Sequence, residues 1–309
     1  MQTAALLYAD LKVLSSELNH KLALRNSVSQ VVQSSKDPEE KKVAIEKAKG
    51  LKASISELKI KVGVTEAELL RVALPIPNDT HPDTPIGPEE AAITLSTHGP
   101  EPIEASPLRD HVKTGRALDI IDFDSGSAVT GSSWYYLLNE GAILETALVN
   151  YALSVAMKYG YRPVTTPDVV KTDIAARCGF QPRDTSDVQQ MYHLASESGK
   201  DHPELVLAAT AEMPLAGLFA NKVYEESQLP IKVVGLGKAF RAEAGARGAD
   251  TRGLYRVHQF TKVELFAVTG DNESNKVMDE LKAVQIDILE GLNIPFRWIM
   301  IIYCYGSDC

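Results

Sequence analysis

The residue types best suited to chemistry are concentrated between Phe240 and Glu264. An apolar segment from Ile231 leads into this stretch, and we expect an alternating strand to run from Leu254 to about Val268. Three glycines between them interrupt both periodicities and predict a long loop: Gly245, Gly248 and Gly253. The stretch is therefore predicted to be an antiparallel hairpin.

Alternation along the two strands brings charged side chains to the same side. On the incoming strand, Arg241 and Glu243 share a face. On the return strand, five residues share a face: Arg256, His258, Phe260, Lys262 and Glu264. If the two faces coincide, a concave sheet surface carries guanidiniums, an aromatic ring and carboxylates.

This combination of groups favours nucleotide binding. Guanidiniums bind phosphate oxygens through paired hydrogen bonds, and the Phe260 ring is a platform on which a base can stack. Glu243 and Glu264 can accept hydrogen bonds from an amine or an ammonium, and Arg247 and Arg252 lie in the loop. Most Arg/Glu hairpins are only salt-bridged, half-exposed surfaces. Five charged or aromatic residues on one face, beside glycines, favour a binding site here.

Three segments of this stretch carry a resemblance to a known family. They are Phe-Arg-x-Glu from Phe240, Gly-x-Asp-Thr-Arg-Gly from Gly248, and Arg-Val-His-Gln-Phe-x-Lys-Val-Glu from Arg256. The run resembles motif 2 of class II aminoacyl-tRNA synthetases, and specifically that of seryl-tRNA synthetases. The resemblance extends from about residue 1 to about residue 297. It implies a serine–tRNA ligase that uses ATP, with Mg²⁺ expected beside the ATP.

The resemblance implies roles for individual residues. Arg241 would bind the α-phosphate, and Glu243 the adenine amino group. Phe260 would stack on adenine with Val257 beside it, and Arg256 would be a further phosphate or substrate contact. A Thr-Ala-Glu segment after an apolar strand matches the family's amino-acid site, so serine would be bound by these residues: Thr210, Glu212 and Glu264. Taken alone, Thr210 and Glu212 suit the capping of a helix. No magnesium ligand is identified.

His258 has two possible roles on this hairpin. We interpret it as a neutral structural histidine rather than a general base. Adenylate formation is an in-line displacement at phosphorus, which depends on positioning and charge neutralisation more than on a proton acceptor.

Composition is that of an ordinary soluble globular protein of about two domains, with 309 residues, 44% hydrophobic and 24% charged. Three cysteines form neither a metal spacing nor a disulfide framework, which favours a reducing compartment. No apolar run is long enough for a membrane span, so no membrane partner is expected.

The net charge is −9, but residues 1–72 carry 12 Lys+Arg against 9 Asp+Glu. A basic segment on an acidic chain favours phosphate-backbone binding there.

Residues 1–72 are predicted to form an antiparallel helical hairpin, a coiled-coil arm. Leucines from Leu7 to Leu18, and apolar residues from Ala44 to Val62, repeat at heptad spacing. Asp37 is the predicted cap of the second helix, and Gly63 its predicted end. Such a stripe alone is more often structural or dimerising. The resemblance implies instead that the arm binds tRNA(Ser) through its lysines: Lys41, Lys42, Lys47, Lys49, Lys52, Lys59 and Lys61.

The remainder is predicted to be a proline-rich linker, residues 73–108, and a catalytic core, residues 109–309. The expected fold class is α+β, with an antiparallel β-sheet flanked by helices. We expect a strand over Gly131–Leu137, a helix over Glu140–Lys158, an extended segment over Tyr161–Val170 and an amphipathic helix within 270–294. The helix and the extended segment resemble motif 1, which implies a homodimer.

The resemblance ends after Arg297. The family continues to motif 3, a glycine-rich, arginine-bearing element, whereas this sequence continues with an apolar run that predicts a buried strand over Trp298–Cys304. We therefore expect the core to be incomplete at its C-terminus. The helical arm is shorter than is usual in the family, so we also expect a shortened N-terminus. The alternative function is a catalytically inactive fragment that binds tRNA or dimerises. Resemblance to organellar members suggests a mitochondrial location, with a cytoplasmic location as the alternative.

Overall fold

The computed structural model describes most of the chain. The described residues are 2–76, 80–180, 190–195, 203–243 and 252–301. Internal contacts divide the chain into two units, Met1–Pro82 and Asp83–Cys309. The three-part division with boundaries at 72 and 108 stays a prediction. Within the described residues, no helix combines the length and the apolar character that a membrane crossing requires.

The first unit is a pair of long helices, α1 (Gln2–Ser34) and α2 (Pro38–Ala73), that pack against each other as a hairpin. The Asp37 carboxylate accepts a hydrogen bond from the Glu39 N–H at 2.9 Å and caps α2, as predicted. The heptad residues form the inner stripe, in which Ala44, Ile55 and Leu58 are buried. The predicted end at Gly63 is wrong. A single glycine costs a helix only about 1 kcal/mol, and α2 continues past it to Ala73.

The second unit begins with small elements around a strand that composition did not predict. The strand β1 (Ile93–His98) lies inside the predicted linker. It is followed by these elements: α3 (His111–Ala117), β2 (Ile121–Asp122), α4 (Phe123–Val129), β3 (Tyr136–Leu137) and α5 (Asn139–Lys158). Three-residue 3₁₀ helices precede β1 and α3. The predicted strand over Gly131–Leu137 is reduced to β3, whereas the predicted long helix is confirmed.

A three-stranded sheet forms the centre of the second unit. Its order is β4 (Arg162–Thr165), β7 (Ile231–Phe240), β8 (Gln259–Val268). The pair β7–β8 is antiparallel, and the pair β4–β7 is parallel. The remaining elements are β5 (Val169–Lys171), α6 (Thr172–Arg177), β6 (Leu205–Leu207), α7 (Glu212–Phe219) and α8 (Ser274–Gly291). The α+β class, with an antiparallel-rich sheet and flanking helices, is confirmed.

Successive residues of β7 pack into different cores because side chains alternate across a strand. Val234 packs with Ala156 of α5 and Val284 of α8. Val233 packs with Leu215 of α7 on the other face. Helices therefore cover both faces of the sheet, which fixes the hairpin rigidly at its base.

The last described strand, β9 (Phe296–Met300), pairs antiparallel with β1. Its side chains alternate between half-buried and exposed. The expectation of a buried strand over Trp298–Cys304 is therefore wrong in its start and, for Trp298 to Ile301, in its burial. A two-stranded sheet leaves one face open to solvent, and residues 302–309 lie outside the described residues.

Candidate active site

The long strands of the hairpin place the predicted binding face in register. β7 and β8 pair from Ile231 opposite Val268 to Phe240 opposite Gln259. Phe260, Lys262 and Glu264 therefore share one face of β8, as predicted. The predicted strand start at Leu254 is wrong, since β8 begins at Gln259.

β8 begins only at Gln259 because of the path that the backbone takes after the end of β7. Arg241 N–H still donates to the carbonyl of His258 at 2.9 Å, which extends the ladder by one step. Ala242 N–H then turns to the carbonyl of Gln190 at 3.1 Å, and Glu243 has a φ of 48°. A positive φ is incompatible with a strand, so residues before His258 have no strand to pair with.

A cavity of about 620 Å³ opens beside the end of the hairpin. Its wall contains all five residues predicted to bind ATP: Arg241, Glu243, Arg256, Val257 and Phe260. Apolar side chains complete much of the wall, among them Ile121, Leu144 and Leu148. The volume is within the range of small-molecule sites. The structure thus brings these five residues together, while their individual roles stay predictions.

Two charge contacts organise the polar side of the cavity. The Arg241 guanidinium lies over the Phe260 ring, 5.1 Å from its centre. The Arg256 guanidinium donates to Glu243 Oε2 at 2.7 Å. The side chain of Arg256 is 46% exposed and that of Glu243 only 16%. Glu243 is therefore the inner partner of the pair, and Arg256 retains access to solvent.

A latch from the start of α3, formed by Asp110 and His111, fastens the segment that leads into Arg256. Both terminal nitrogens of the Arg252 guanidinium reach the Asp110 carboxylate, at 2.8 and 3.0 Å. Leu254 N–H donates to His111 Nε2 at 3.1 Å, and the His111 ring lies edge-on to Tyr255 at 4.6 Å.

The latch has two further features. A side chain at Gly253 would collide with the His111 ring, and its φ of 65° also favours glycine. The pKa of Asp110 is lowered mainly by its hydrogen bond from the Lys113 N–H, with the Arg252 charge contributing. Sequence reasoning missed this latch, because Asp110 and His111 are far from the hairpin in the chain and belong to no recognised motif.

Beside the cavity, three polar side chains link α5 to both strands of the hairpin. Lys238 Nζ donates to Thr261 Oγ1 at 2.5 Å, and Thr261 Oγ1 donates to Glu145 Oε1 at 2.5 Å. Glu145 and Thr261 line the cavity, whereas Lys238 lies in a smaller neighbouring pocket. The prediction of a helix over Glu140–Lys158 gave no signal for a role of Glu145.

The three residues predicted to bind serine lie near one another, together with Lys262. Thr210 Oγ1 donates to Glu264 Oε2 at 2.5 Å. Lys262 Nζ donates to Thr210 Oγ1 at 2.9 Å and lies 2.6 Å from Glu264 Oε2. Thr210 is 2% exposed, which makes this a buried polar group with complete pairing. We call Thr210, Lys262 and Glu264 the Thr210 triangle.

Glu212, at the start of α7, lies at the edge of the Thr210 triangle. Its backbone N–H donates to Thr210 Oγ1 at 3.3 Å. Glu212 is an exposed residue, but partial desolvation still raises the pKa of its carboxyl. The charge of Glu264 adds to the rise, and the Lys262 ammonium opposes it. Sequence reasoning placed Lys262 on this face but gave it no role.

His258 has the surroundings of a structural residue. Its Nδ1–H donates to the carbonyl of Arg241 at 2.9 Å, and its ring packs against Trp134 at 5.6 Å and Tyr192 at 6.1 Å. These contacts suit a structural role, and the choice of a structural histidine over a general base stays a prediction. Arg247 lies outside the described residues. Across the part of the chain that the structure describes, no cluster of three or more His, Cys, Asp or Glu side chains could hold a metal ion.

Comparison with protein families identifies one matching model. It is described as the tRNA synthetase class II core domain (G, H, P, S and T), and it matches residues 192–307. That range includes the Thr210 triangle and the whole hairpin.

Serine–tRNA ligases are similar to this chain over most of its length. That of Treponema pallidum is 35% identical over 97% of this chain and 68% of its own length. That of Treponema denticola is 36% identical over 88% of this chain, which spans only 63% of that relative. The mitochondrial serine–tRNA ligase of Saccharomyces cerevisiae is 41% identical over 81% of this chain and 54% of its own length.

A solved structure shares the fold. The seryl-tRNA synthetase from Pyrococcus horikoshii, complexed with ATP, superposes with a TM-score of 0.70 at 29% sequence identity. The match covers 97% of this chain and 70% of that one.

Proposed function

This chain belongs to the seryl-tRNA synthetase family, and from that premise we propose that its function is that of a serine–tRNA ligase. In the first step, a carboxylate oxygen of serine attacks the α-phosphorus of ATP. The bond from that phosphorus to the β-phosphate bridging oxygen breaks, which gives seryl-adenylate and pyrophosphate. In the second step, a ribose hydroxyl of the terminal adenosine of tRNA(Ser) attacks the acyl carbon, and AMP leaves.

The observation that carries this proposal is the gathering of Arg241, Glu243, Arg256, Val257 and Phe260 around one cavity. In the proposed arrangement, adenine stacks on Phe260 and its amino group donates to Glu243. The Arg241 guanidinium, already 5.1 Å above that ring, binds the α-phosphate. Negative charge grows on the phosphate oxygens in the transition state, and a pre-placed guanidinium stabilises it there.

The serine half of the site is proposed to be formed by Thr210, Glu212 and Glu264. A buried threonine hydroxyl next to two carboxylates suits a small ligand that carries an ammonium and a hydroxyl. A polar site of this kind also rejects analogues that leave its groups unpaired. Mg²⁺ is expected to arrive with the ATP phosphates.

The helical hairpin is proposed to bind tRNA. Its predicted phosphate contacts are exposed on α2, except for Lys41, which is half-buried. Backbone contacts by lysines release counterions, so binding should weaken as salt rises. Filter binding of tRNA(Ser) at several salt concentrations, with and without charge-neutral replacements of Lys42, Lys47 and Lys49, measures this.

We also propose a homodimer and a mitochondrial location. Apolar residues on α5, among them Ile143 and Met157, are exposed, which suits an interface. The likeness to a mitochondrial ligase of yeast supports the location, although bacterial ligases match as well.

The test is whether the purified 309-residue chain recognises serine and ATP together. Isothermal titration with a sulfamoyl analogue of seryl-adenylate measures this without requiring catalysis, and serine-dependent ATP–pyrophosphate exchange measures the first step. The threonyl and alanyl analogues are the matched controls. We expect tight binding of the seryl analogue alone. Equal binding of all three, or of none, contradicts the proposed substrate.

A further inference from the structure

Lys262 occupies the hydrogen-bonding positions that the proposed serine site must offer its ligand. Its ammonium lies 2.6 Å from Glu264 Oε2 and donates to Thr210 Oγ1 at 2.9 Å. Both atoms belong to residues assigned above to the amino acid. An ammonium is the group on serine that would seek a carboxylate and a hydroxyl oxygen.

The hydrogen-bonding capacity of Thr210 shows that both ammonium groups cannot be accommodated. A hydroxyl has one donor and two acceptor positions. Thr210 Oγ1 donates to Glu264, and it accepts from Lys262 Nζ and from the Glu212 N–H. All three positions are filled. A further donor can reach Thr210 only if one of the present donors leaves, and the Glu212 N–H is fixed at the start of α7.

From this geometry we propose that the Lys262 ammonium is a stand-in for the ammonium of the substrate, which displaces it on binding. The proposal rests on the function proposed above and names the residue that sets serine affinity. The side chain has room to move, since it is 32% exposed whereas that of Glu264 is 20% exposed. Glu212 is a second carboxylate within the field of Lys262. It gives the displaced ammonium another partner.

Displacement makes serine affinity a difference between two similar interactions. The substrate gains charge-assisted hydrogen bonds to Thr210 and Glu264, and Lys262 loses them. In the absence of serine, Lys262 keeps Thr210 and Glu264 paired and oriented. Serine then binds more weakly than it would to a site without Lys262.

The decisive variant is Lys262→Met, which keeps an unbranched stem and removes the ammonium. It should bind L-serine at least about five-fold more tightly than the unmodified chain. Serine would then form its charge-assisted hydrogen bonds to Thr210 and Glu264 without first displacing Lys262, and each such bond changes the dissociation constant several-fold. Calorimetric titration of the 309-residue chain measures this. Glycerate, which carries a hydroxyl in place of the ammonium, should show no gain.

The matched control is Lys232→Met, which also removes a lysine ion pair of 2.6 Å from the sheet, to Glu280. It should leave serine affinity unchanged. If Lys262→Met does not fold, Lys262→Arg keeps the charge and binds Glu264 through two nitrogens, so it should weaken serine binding several-fold.

Two negative results have different meanings. If the unmodified chain binds serine and Lys262→Met binds it equally or less tightly, Lys262 is not a stand-in and the inference is wrong. If neither protein binds serine while both bind ATP, the substrate in the proposed function is wrong, and the inference fails with it.

Discussion

The two halves of the candidate site are prepared for their ligands in opposite ways. The half assigned to ATP is a cavity of about 620 Å³, and Arg241, Glu243 and Arg256 are among the side chains that line it. The half assigned to serine has its polar groups already joined to one another in the Thr210 triangle. A large ligand enters existing space, whereas a small ligand must replace an internal partner.

This difference follows from ligand size. A nucleotide buries much apolar and aromatic surface, so it binds a preformed cavity without needing every polar group free. Serine has little surface to bury, and its affinity depends on a few hydrogen bonds. Without the Lys262 ammonium, one acceptor position of the buried Thr210 hydroxyl would stay unfilled and Glu264 would lose its cation. A buried polar group left unsatisfied costs about 1–3 kcal/mol.

The largest effect is expected in the cavity assigned to ATP, and it tests whether that cavity is a binding site. Arg241→Met removes the guanidinium above Phe260 and should lower serine-dependent pyrophosphate exchange by about 10²–10³-fold, since a lost transition-state contact has an effect of this order. Arg116→Met is the control. It removes an exposed ion pair between Arg116 of α3 and Asp124 of α4 and should leave exchange unchanged. An unchanged rate for Arg241→Met would remove Arg241 from the site.

The next effect concerns the half assigned to serine, which contains the Thr210 triangle. Glu264→Gln keeps the shape of the side chain but removes its charge, so serine use should fall by at least about ten-fold while ATP affinity stays the same. Titration with each ligand separately measures both. A loss of ATP affinity equal to the loss for serine would show that the two halves are not separate.

A smaller effect is expected where α3 holds the end of the loop. Asp110→Asn retains a good helix cap but weakens the contact with Arg252. This variant and Arg252→Met should each raise the amide exchange rate of Leu254 and weaken ATP binding by about three-fold or less, because a solvent-screened ion pair contributes little. The double variant should add little to either single one. Full additivity would mean that the two residues do not act together.

The smallest effect concerns Glu212 and pH. Its raised pKa means that the folded protein binds a proton more readily than the unfolded chain, so stability falls as pH rises above the ordinary value of 4.5. Glu212→Gln should therefore raise Tm at pH 7, by no more than about 2 °C for a partly exposed carboxylate. Below the ordinary value, the difference should disappear. Glu66→Gln on the exposed side of α2 is the control and should leave Tm unchanged. A lower Tm for Glu212→Gln at pH 7 would contradict the raised pKa of Glu212.

Local patterns predicted the elements whose cause is local. Asp37 caps α2, α5 follows its apolar spacing, and β7 and β8 alternate as expected. The face carrying Phe260, Lys262 and Glu264 follows from that alternation alone.

Partners distant in the chain were not predicted. The Asp110–Arg252 and Thr261–Glu145 contacts join elements that only the tertiary fold brings together. Likewise, β1 was hidden in a proline-rich segment because its pairing partner is β9. Alternation put Lys262 on the binding face, but it could not show that Lys262 is bonded to its neighbours there.

The pairing of β1 with β9 has a consequence for biosynthesis. Nearly the whole second unit separates the two strands, so a ribosome releases β1 long before its partner. At typical elongation rates, the delay is roughly 10–40 s. During that time Ile93 and Leu95 belong to a strand whose backbone groups are unpaired, and such an edge attracts other chains. A nascent chain of this protein should therefore need chaperone protection at β1 until the segment containing Trp298 has emerged.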